Sequence, residues 1–303
     1  MTNHRLKSYF YLFIVAVIWG VAGPIIKYTL GGISTIPFLV YRFGISSLLS
    51  IFLLIPTYKS IIKNNILVES IIFGFLTSTV ALGLLFLGME KTTVLDMSFI
   101  TLTAPLMIAI GGALFLKDRI TKREKLGITI AFFGSLITII QPIFENGINI
   151  NQITGNLLIF AYLLVNTVSV IMAKRLVRKG ASPIALTSLS FIIGFISFAP
   201  LILFSDSFSL STLTSLPFPY HLGVLFMAIM SGNIAYTLWV KGQKTIEVSE
   251  AALFNYLYPV FSAPLAVYWL GEKVTLAFLL GALIIIIGVI IAEYKKGRRS
   301  KTL

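Results

Sequence analysis

Of the 303 residues, 57% are apolar and 12% charged, against about 45–50% and about 25% in ordinary soluble domains. A water-facing surface needs more charge than this, so a soluble fold is excluded and the strongly positive mean hydropathy makes lipid the solvent. The formal net charge of +13 does not point to nucleic acid, because the lysines and arginines fall in short clusters between apolar runs instead of on one face of a soluble domain. Cysteine is absent and the histidines are His4 and His221, which leaves no disulfide, no thiol nucleophile and none of the usual zinc, haem or iron–sulfur ligand sets.

In chain order, an apolar run follows His4, Arg5 and Lys7 and continues to Tyr28 with no small-residue cleavage site, so it reads as a retained span and not as a signal peptide. Apolar stretches of membrane-crossing length are then expected at 9–28, 36–56, 66–88, 93–116, 124–141, 154–176, 183–204, 219–241, 249–270 and 275–293. The fold class is an all-α integral membrane protein of ten transmembrane helices. With the N-terminus inside, 20 of the 24 basic residues fall on cytoplasmic segments, Lys27, Lys91 and Lys273 fall outside, and Arg42 lies within a span. Short basic loops are retained on the cytoplasmic side. The bias predicts a multi-pass protein of the cytoplasmic cell membrane with both termini inside, residues 294–303 forming a basic cytoplasmic tail.

An internal repeat appears when Asp96–Gly134 is laid on Glu250–Gly288. A constant offset of 154 pairs Asp96 with Glu250, Pro105 with Pro259, Asp118 with Glu272, Arg119 with Lys273, Thr121 with Thr275, Gly127 with Gly281 and Gly134 with Gly288. An offset of 147 also lays Lys27 on Lys174. The two copies, 9–141 and 154–293, hold five spans each, and an odd number inserts the second copy upside down. Two inverted halves around a central cavity can exchange conformations and open a midplane site to each side in turn; the alternative is duplication that merely built a stable bundle.

The chain resembles the EamA-type family of the drug/metabolite transporter superfamily. Trp19-Gly20 in the first span, Pro37 to Arg42-Phe43 in the second, and Thr103 to Pro105, Asp118-Arg119, Gly127 and Gly134 in the fourth and fifth carry the likeness. Pro259, Gly271-Glu272-Lys273, Gly281 and Gly288 repeat it. Lys117-Asp118 replaces the family's Gly-Glu, and Val165-Asn166 stands where a second Trp-Gly would fall. The resemblance implies ten helices around a central cavity and substrates such as amino acids, sugars, nucleobases or amphiphilic toxins.

Candidate site residues follow from polarity inside the spans. Arg42 lies six residues after Ile36, about 9 Å deep at 1.5 Å per residue in a core about 30 Å thick. It is expected either to face the cavity and bind an anion in a bidentate fork, or to snorkel outward or pair with carbonyls. Polar stripes at helical spacing run through Gly20, Gly23 and Lys27; Ser98, Thr101 and Pro105; Asn166 and Ser169; Asn233, Tyr236 and Thr237; and Asn255, Tyr258 and Ser262. With Trp19, Trp239 and Tyr256 they suggest a small aromatic-lined pocket for an uncharged or zwitterionic molecule, although interhelical hydrogen bonding explains such stripes equally well. Substrate contacts are therefore expected from Arg42, Trp19, Thr101, Asn166, Asn233, Tyr236, Asn255 and Tyr258. Pro105 and Pro259 are expected as hinges or cavity-shaping bends. Asp96 and Glu250 could couple transport to protons, or be helix-start charges that the macrodipole favours; Glu69 reads as the latter.

A secondary transporter, acting as an exporter of small organic metabolites such as amino acids, is the reading these features favour. No GxxxxGK[ST] loop is present to use ATP, and no nucleophile–base pair suggests an enzyme. The rivals are a passive channel-like facilitator and a non-transporting scaffold. No cofactor, metal or nucleic acid is expected; the partners are a small-molecule substrate and the lipid bilayer, with a monomer as the unit and a dimer as the alternative.

Overall fold

The computed structural model describes residues 3–116, 122–146, 149–204, 214–246 and 248–293, and among these every regular element is helical. We label them α1 (Asn3–Leu30), α2 (Thr35–Leu54), α3 (Leu67–Lys91), α4 (Val94–Leu116), α5 (Lys122–Asn146), α6 (Ile150–Arg178), α7 (Pro183–Phe198), α8 (Phe218–Gly242), α9 (Val248–Tyr268) and α10 (Leu276–Glu293). Seven stretches among the described residues are long and apolar enough to cross a membrane: Arg5–Leu30, Thr35–Leu54, Leu67–Lys91, Val94–Phe115, Ile150–Arg178, Pro183–Ile202 and Phe218–Gly242. Apolar helices Lys125–Ile139 and Phe278–Ile291 are shorter. Large apolar side chains line the exterior, Phe52 at 74%, Leu276 at 76% and Leu114 at 72% exposure among them, an arrangement that suits hydrocarbon and not water. The segment Lys117–Thr121, with the Asp118-Arg119 turn, and the tail 294–303 lie outside the described residues.

Among the described residues, four departures from α geometry fall in matched places of the two copies, and a further 3₁₀ stretch, Ala199–Phe204, follows α7 without a counterpart. π-helical stretches occupy Phe75–Ala81 in α3 and Phe226–Ile234 in α8. The 3₁₀ turns Thr101–Thr103 in α4 and Leu253–Leu257 in α9 each end within two residues of the repeat-matched Pro105 and Pro259. Proline has no N–H and its ring crowds the preceding turn, so tightening that turn absorbs the conflict without ending the helix. The prolines thus sit at the start of the α-helical segments Ala104–Leu116 and Tyr258–Tyr268.

Packing between the two copies is reciprocal. Helix α1 packs on α8 and α9, and its repeat partner α6 packs on α3 and α4; α2 meets α7, and α5 lies along α10. Along the α5–α10 seam, Gly134 meets Ile285 while Gly288 meets Ala131, the same pair of contacts with the copies exchanged. Residue i touching j while j′ touches i′ is the signature of a two-fold relation. Two ammonium clasps obey it as well. Lys27 Nζ donates to the carbonyls of Met89 (3.0 Å) and Thr92 (2.6 Å). Lys174 Nζ donates to those of Gln243 and Ile246 (2.7 Å for the second), which are Met89 and Thr92 shifted by the repeat offset of 154.

Local turn chemistry fixes the ends. Helix α6 closes in a Schellman motif, with Gly180 at φ +97° donating to Val177 O and Ala181 N donating to Leu176 O, both at 3.0 Å. Gly271 at φ +68° turns the chain so that Glu272 accepts from Val94 N (2.7 Å) and Leu95 N (2.9 Å), capping α4 from the other copy. Burial pushes the Glu272 carboxyl up, while the two backbone donors and Lys27 hold it down.

The glycine seam is testable. A Cβ on Gly288 would stand 2.5 Å from Ala131 N and 2.7 Å from Gly127 O, both backbone atoms that cannot turn aside. Gly288→Ala is expected to destabilise the purified protein by about 1–3 kcal/mol, read as a lower melting temperature in detergent. Gly44→Ala, whose nearest neighbour is Phe195 Cε2 at 3.5 Å, should leave it unchanged; equal melting of both variants would contradict the seam.

Candidate functional site

The site grows out of the π stretch in α8. A carbonyl has a second lone pair beyond its helical bond, and within hydrocarbon only protein donors can meet it; three carbonyls of the π stretch accept from side chains. Those side chains come from two other helices. Trp19 Nε1 of α1 donates to Ser231 O at 3.0 Å, Arg42 Nε of α2 to Met227 O at 3.0 Å, and Ser46 Oγ to Ala228 O at 3.0 Å. Arg42, Ser46 and Ser50 are spaced by four and share one face of α2. Ser50 Oγ completes the row by donating to Asn233 Oδ1 at 2.9 Å, and Asn233 Nδ2 donates back to Ser46 O at 3.3 Å.

Beside this junction lies a cavity of about 1070 Å³, counting the part open to the outside, walled by α1–α4 and α6, α8 and α9. Of the residues singled out from sequence, Arg42, Trp19, Thr101, Asn166, Tyr236, Asn255 and Tyr258 line it. Trp19 gathers the aromatic side: its ring centroid is 4.9 Å from that of Tyr236, 5.5 Å from Trp239 and 6.2 Å from Tyr258. Tyr236 and Tyr258 meet it edge-on, the arrangement ring quadrupoles prefer. The Ser98 and Ser262 hydroxyls, 2.6 Å apart, join α4 to α9 in the wall.

The other candidates stand apart from the cavity. Asn233 is committed to α2, bonded to Ser46 and Ser50. Pro105 and Pro259 do not line the space; the 3₁₀ turns they force bring Thr101 and Asn255 to it. Asp96 is buried, and its Oδ2 accepts from Gln152 Nε2 (2.9 Å), Asn156 Nδ2 (3.1 Å) and Thr92 Oγ1 (3.3 Å). Glu250 pairs with Arg5 at 2.7 Å and accepts from the Tyr9 hydroxyl. Both carboxylates lie in the first turn of their helices, and Glu69 does too, paired with Lys179 at 2.7 Å. Phe86 and Met97 line the cavity but carry no polar or charged signal at mid-span, so periodicity assigns them to the core; Tyr162, also in the wall, is missed by the sequence reading although it lies one turn before Asn166 on the Asn166–Ser169 stripe.

Arg42, expected either to face the cavity or to snorkel outward, lies in the cavity wall. Arg42 is 0% exposed, so its guanidinium stays inside the assembly and does not reach the membrane edge. Its Cζ sits 5.4 Å from the Phe43 ring centroid and 5.1 Å from that of Phe86, within cation–π range. Nε is bonded to Met227, while Nη1 and Nη2 are buried with no hydrogen-bond partner among the described residues. Among those residues no Asp or Glu lines the cavity, and no group of three or more His, Cys, Asp or Glu is placed to hold a metal.

Comparison with known proteins adds the following. The model of the EamA-like transporter family matches residues 6–140 and again 153–294. The chain is 28% identical over 292 residues to the "Uncharacterized transporter YyaM" of Bacillus subtilis (strain 168), covering 95% of this chain and 94% of that one. It is also 28% identical over 293 residues to an "Uncharacterized transporter" of Archaeoglobus fulgidus, covering 96% and 100%. A solved structure titled only "Crystal structure of protein" superposes with a TM-score of 0.66 at 16% identity, over 95% of this chain and 98% of that one, a likeness of fold. Two matched copies across nearly the whole length, in a chain with seven stretches among the described residues long and apolar enough to cross a membrane, leave one conclusion: this multi-pass membrane transporter belongs to the EamA-like transporter family.

Proposed function

We infer that the protein is a secondary carrier in the cytoplasmic membrane that exports small organic metabolites, with amino acids as the example the resemblance supplies, by alternating access. The observation that carries this reading is the cavity between the two copies, lined by Trp19, Arg42 and Thr101 from the first and by Asn166, Asn255 and Tyr258 from the second. Ten spans in two inverted five-span repeats, both termini cytoplasmic, are the layout we assign. The 20-to-3 distribution of basic residues supports the orientation, and the reciprocal contacts support a two-fold relation between copies. Outward direction rests on the family resemblance alone. The lysine clasps suit such a machine: Lys27 ties α1 to the α3–α4 junction, Lys174 ties α6 to the α8–α9 junction, and inversion puts these equivalent latches on opposite faces.

Residues of the site take roles accordingly. Arg42, Trp19, Thr101, Asn166, Tyr236, Asn255 and Tyr258 contact substrate; Asn233 holds α2 to α8 beneath them; Pro105 and Pro259 set bends about which the cavity reshapes. Asp96 and Glu250 act in helix-end anchoring, since each is bonded away from the cavity. Saturable flux in proteoliposomes without single-channel conductance is the expected behaviour; ohmic conductance would make the protein a facilitator, and neither would make it a scaffold.

Topology is read with single cysteines, which the native chain lacks. One at Asn149 should react with an impermeant thiol reagent on whole cells and one at Lys122 should not; the reverse pattern defeats the assigned orientation. An imposed pH gradient should change substrate accumulation little, because no carboxylate lines the cavity among the described residues. Many-fold accumulation that Asp96→Asn abolishes, with exchange intact, would make Asp96 a coupling site instead.

A further inference from the structure

Resting on the carrier reading above but replacing its amino-acid example with a different class, we propose that the cavity selects organic monocarboxylates with an aromatic body, the carboxylate held by Nη1 and Nη2 of Arg42. Three features of the guanidinium fix what it can bind. Its Nε is committed to the Met227 carbonyl at 3.0 Å, which sets the direction of the planar group. The rings of Phe43 and Phe86 stand 5.4 and 5.1 Å from its Cζ and occupy space around it with no acceptor. The buried Nη1 and Nη2, without partners among the described residues, are what remains for a ligand. A buried charged donor left unpaired is expensive, and a planar two-oxygen anion matches the two terminal nitrogens as a fork.

Charge balance narrows the ligand further. Arg42 is the one ionised side chain lining the cavity among the described residues, so the site carries a single positive charge in a low-dielectric setting. A monoanion brings the sum to zero. A zwitterion leaves the positive charge uncancelled and gives its ammonium no carboxylate to meet. A phosphate monoester, charged between −1.5 and −2 near neutral pH, would need a second cation, yet Lys27 and Lys174 are engaged with backbone carbonyls and neither lines the cavity. The remaining wall matches an apolar aromatic body: Trp19, Tyr162, Tyr236 and Tyr258 present rings, and Met97 and Met227 polarisable thioethers.

Three probes of one shape separate the alternatives: indole-3-propionate, its neutral amide indole-3-propionamide, and the zwitterion tryptophan. The purified wild-type protein is titrated with each at pH 7 by thermal shift, and flux is measured in proteoliposomes. The acid is expected to bind at least about tenfold more tightly than the amide or the zwitterion. Arg42→Gln should remove that preference and Arg42→Lys, which keeps charge without the fork, should weaken it. Because the wild-type comparison of acid with amide needs no variant, a misfolding Arg42→Gln does not spare the proposal. Equal binding of acid and amide, tighter tryptophan, or no binding of any probe overturns it. Transport of other solutes with none of these probes bound would overturn the proposal and leave the carrier reading standing. Tight binding of the acid without movement would support the site and defeat the carrier reading.

Discussion

Hydrocarbon offers no hydrogen bonds, and this constraint organises the molecule. Wherever a carbonyl has a lone pair beyond its helical bond, only protein donors can meet it. The π stretch of α8 is such a place, and the donors are Trp19 on α1 and Arg42 and Ser46 on α2. Of the two sequence readings of Arg42, the carbonyl partner is seen at Nε, bonded to Met227; Nη1 and Nη2 are buried without a partner among the described residues, and the anion fork is the role we propose for them.

The same constraint explains why the two copies remain recognisable where they do. Lys27 and Lys174 both satisfy carbonyls at the junction between the third and fourth helices of a copy, and the acceptors are equivalent under the repeat. Glycines along α5 and α10 are held by backbone proximity: Gly134 and Gly288 have no room for a methyl group. Cavity residues are under no such symmetry. Where the first copy has Trp19-Gly20 the second has Val165-Asn166, and Trp19 and Asn166 both line the cavity with different chemistry. The scaffold is thus duplicated and the cavity lining is not.

Much of this is written in the residues. Membrane-crossing length, apolarity and charge clusters expose the helices, because each is a property of some twenty consecutive positions. Arg42 declares itself because a charge deep in a span has few explanations. The prolines mark where α4 and α9 tighten. The π stretches have no such mark: Phe226–Ile234 and Phe75–Ala81 share no signal that separates them from ordinary apolar helix. Asn233 reads as a cavity residue in the sequence, because nothing there marks that its amide bonds Ser46 and Ser50 of α2. Phe86 and Met97 are hidden for a different reason, as an aromatic or thioether turned to a cavity has the same periodicity as one turned to the core.

The central claim is that the Arg42 cavity is the translocation path, open to each face in turn. A single cysteine at Asn166, in the cavity wall, tests it most directly, using a membrane-impermeant thiol reagent on right-side-out and inside-out vesicles. The account predicts labelling from both faces, slowed from both when indole-3-propionate is present. Labelling from one face only, in every condition, would contradict it.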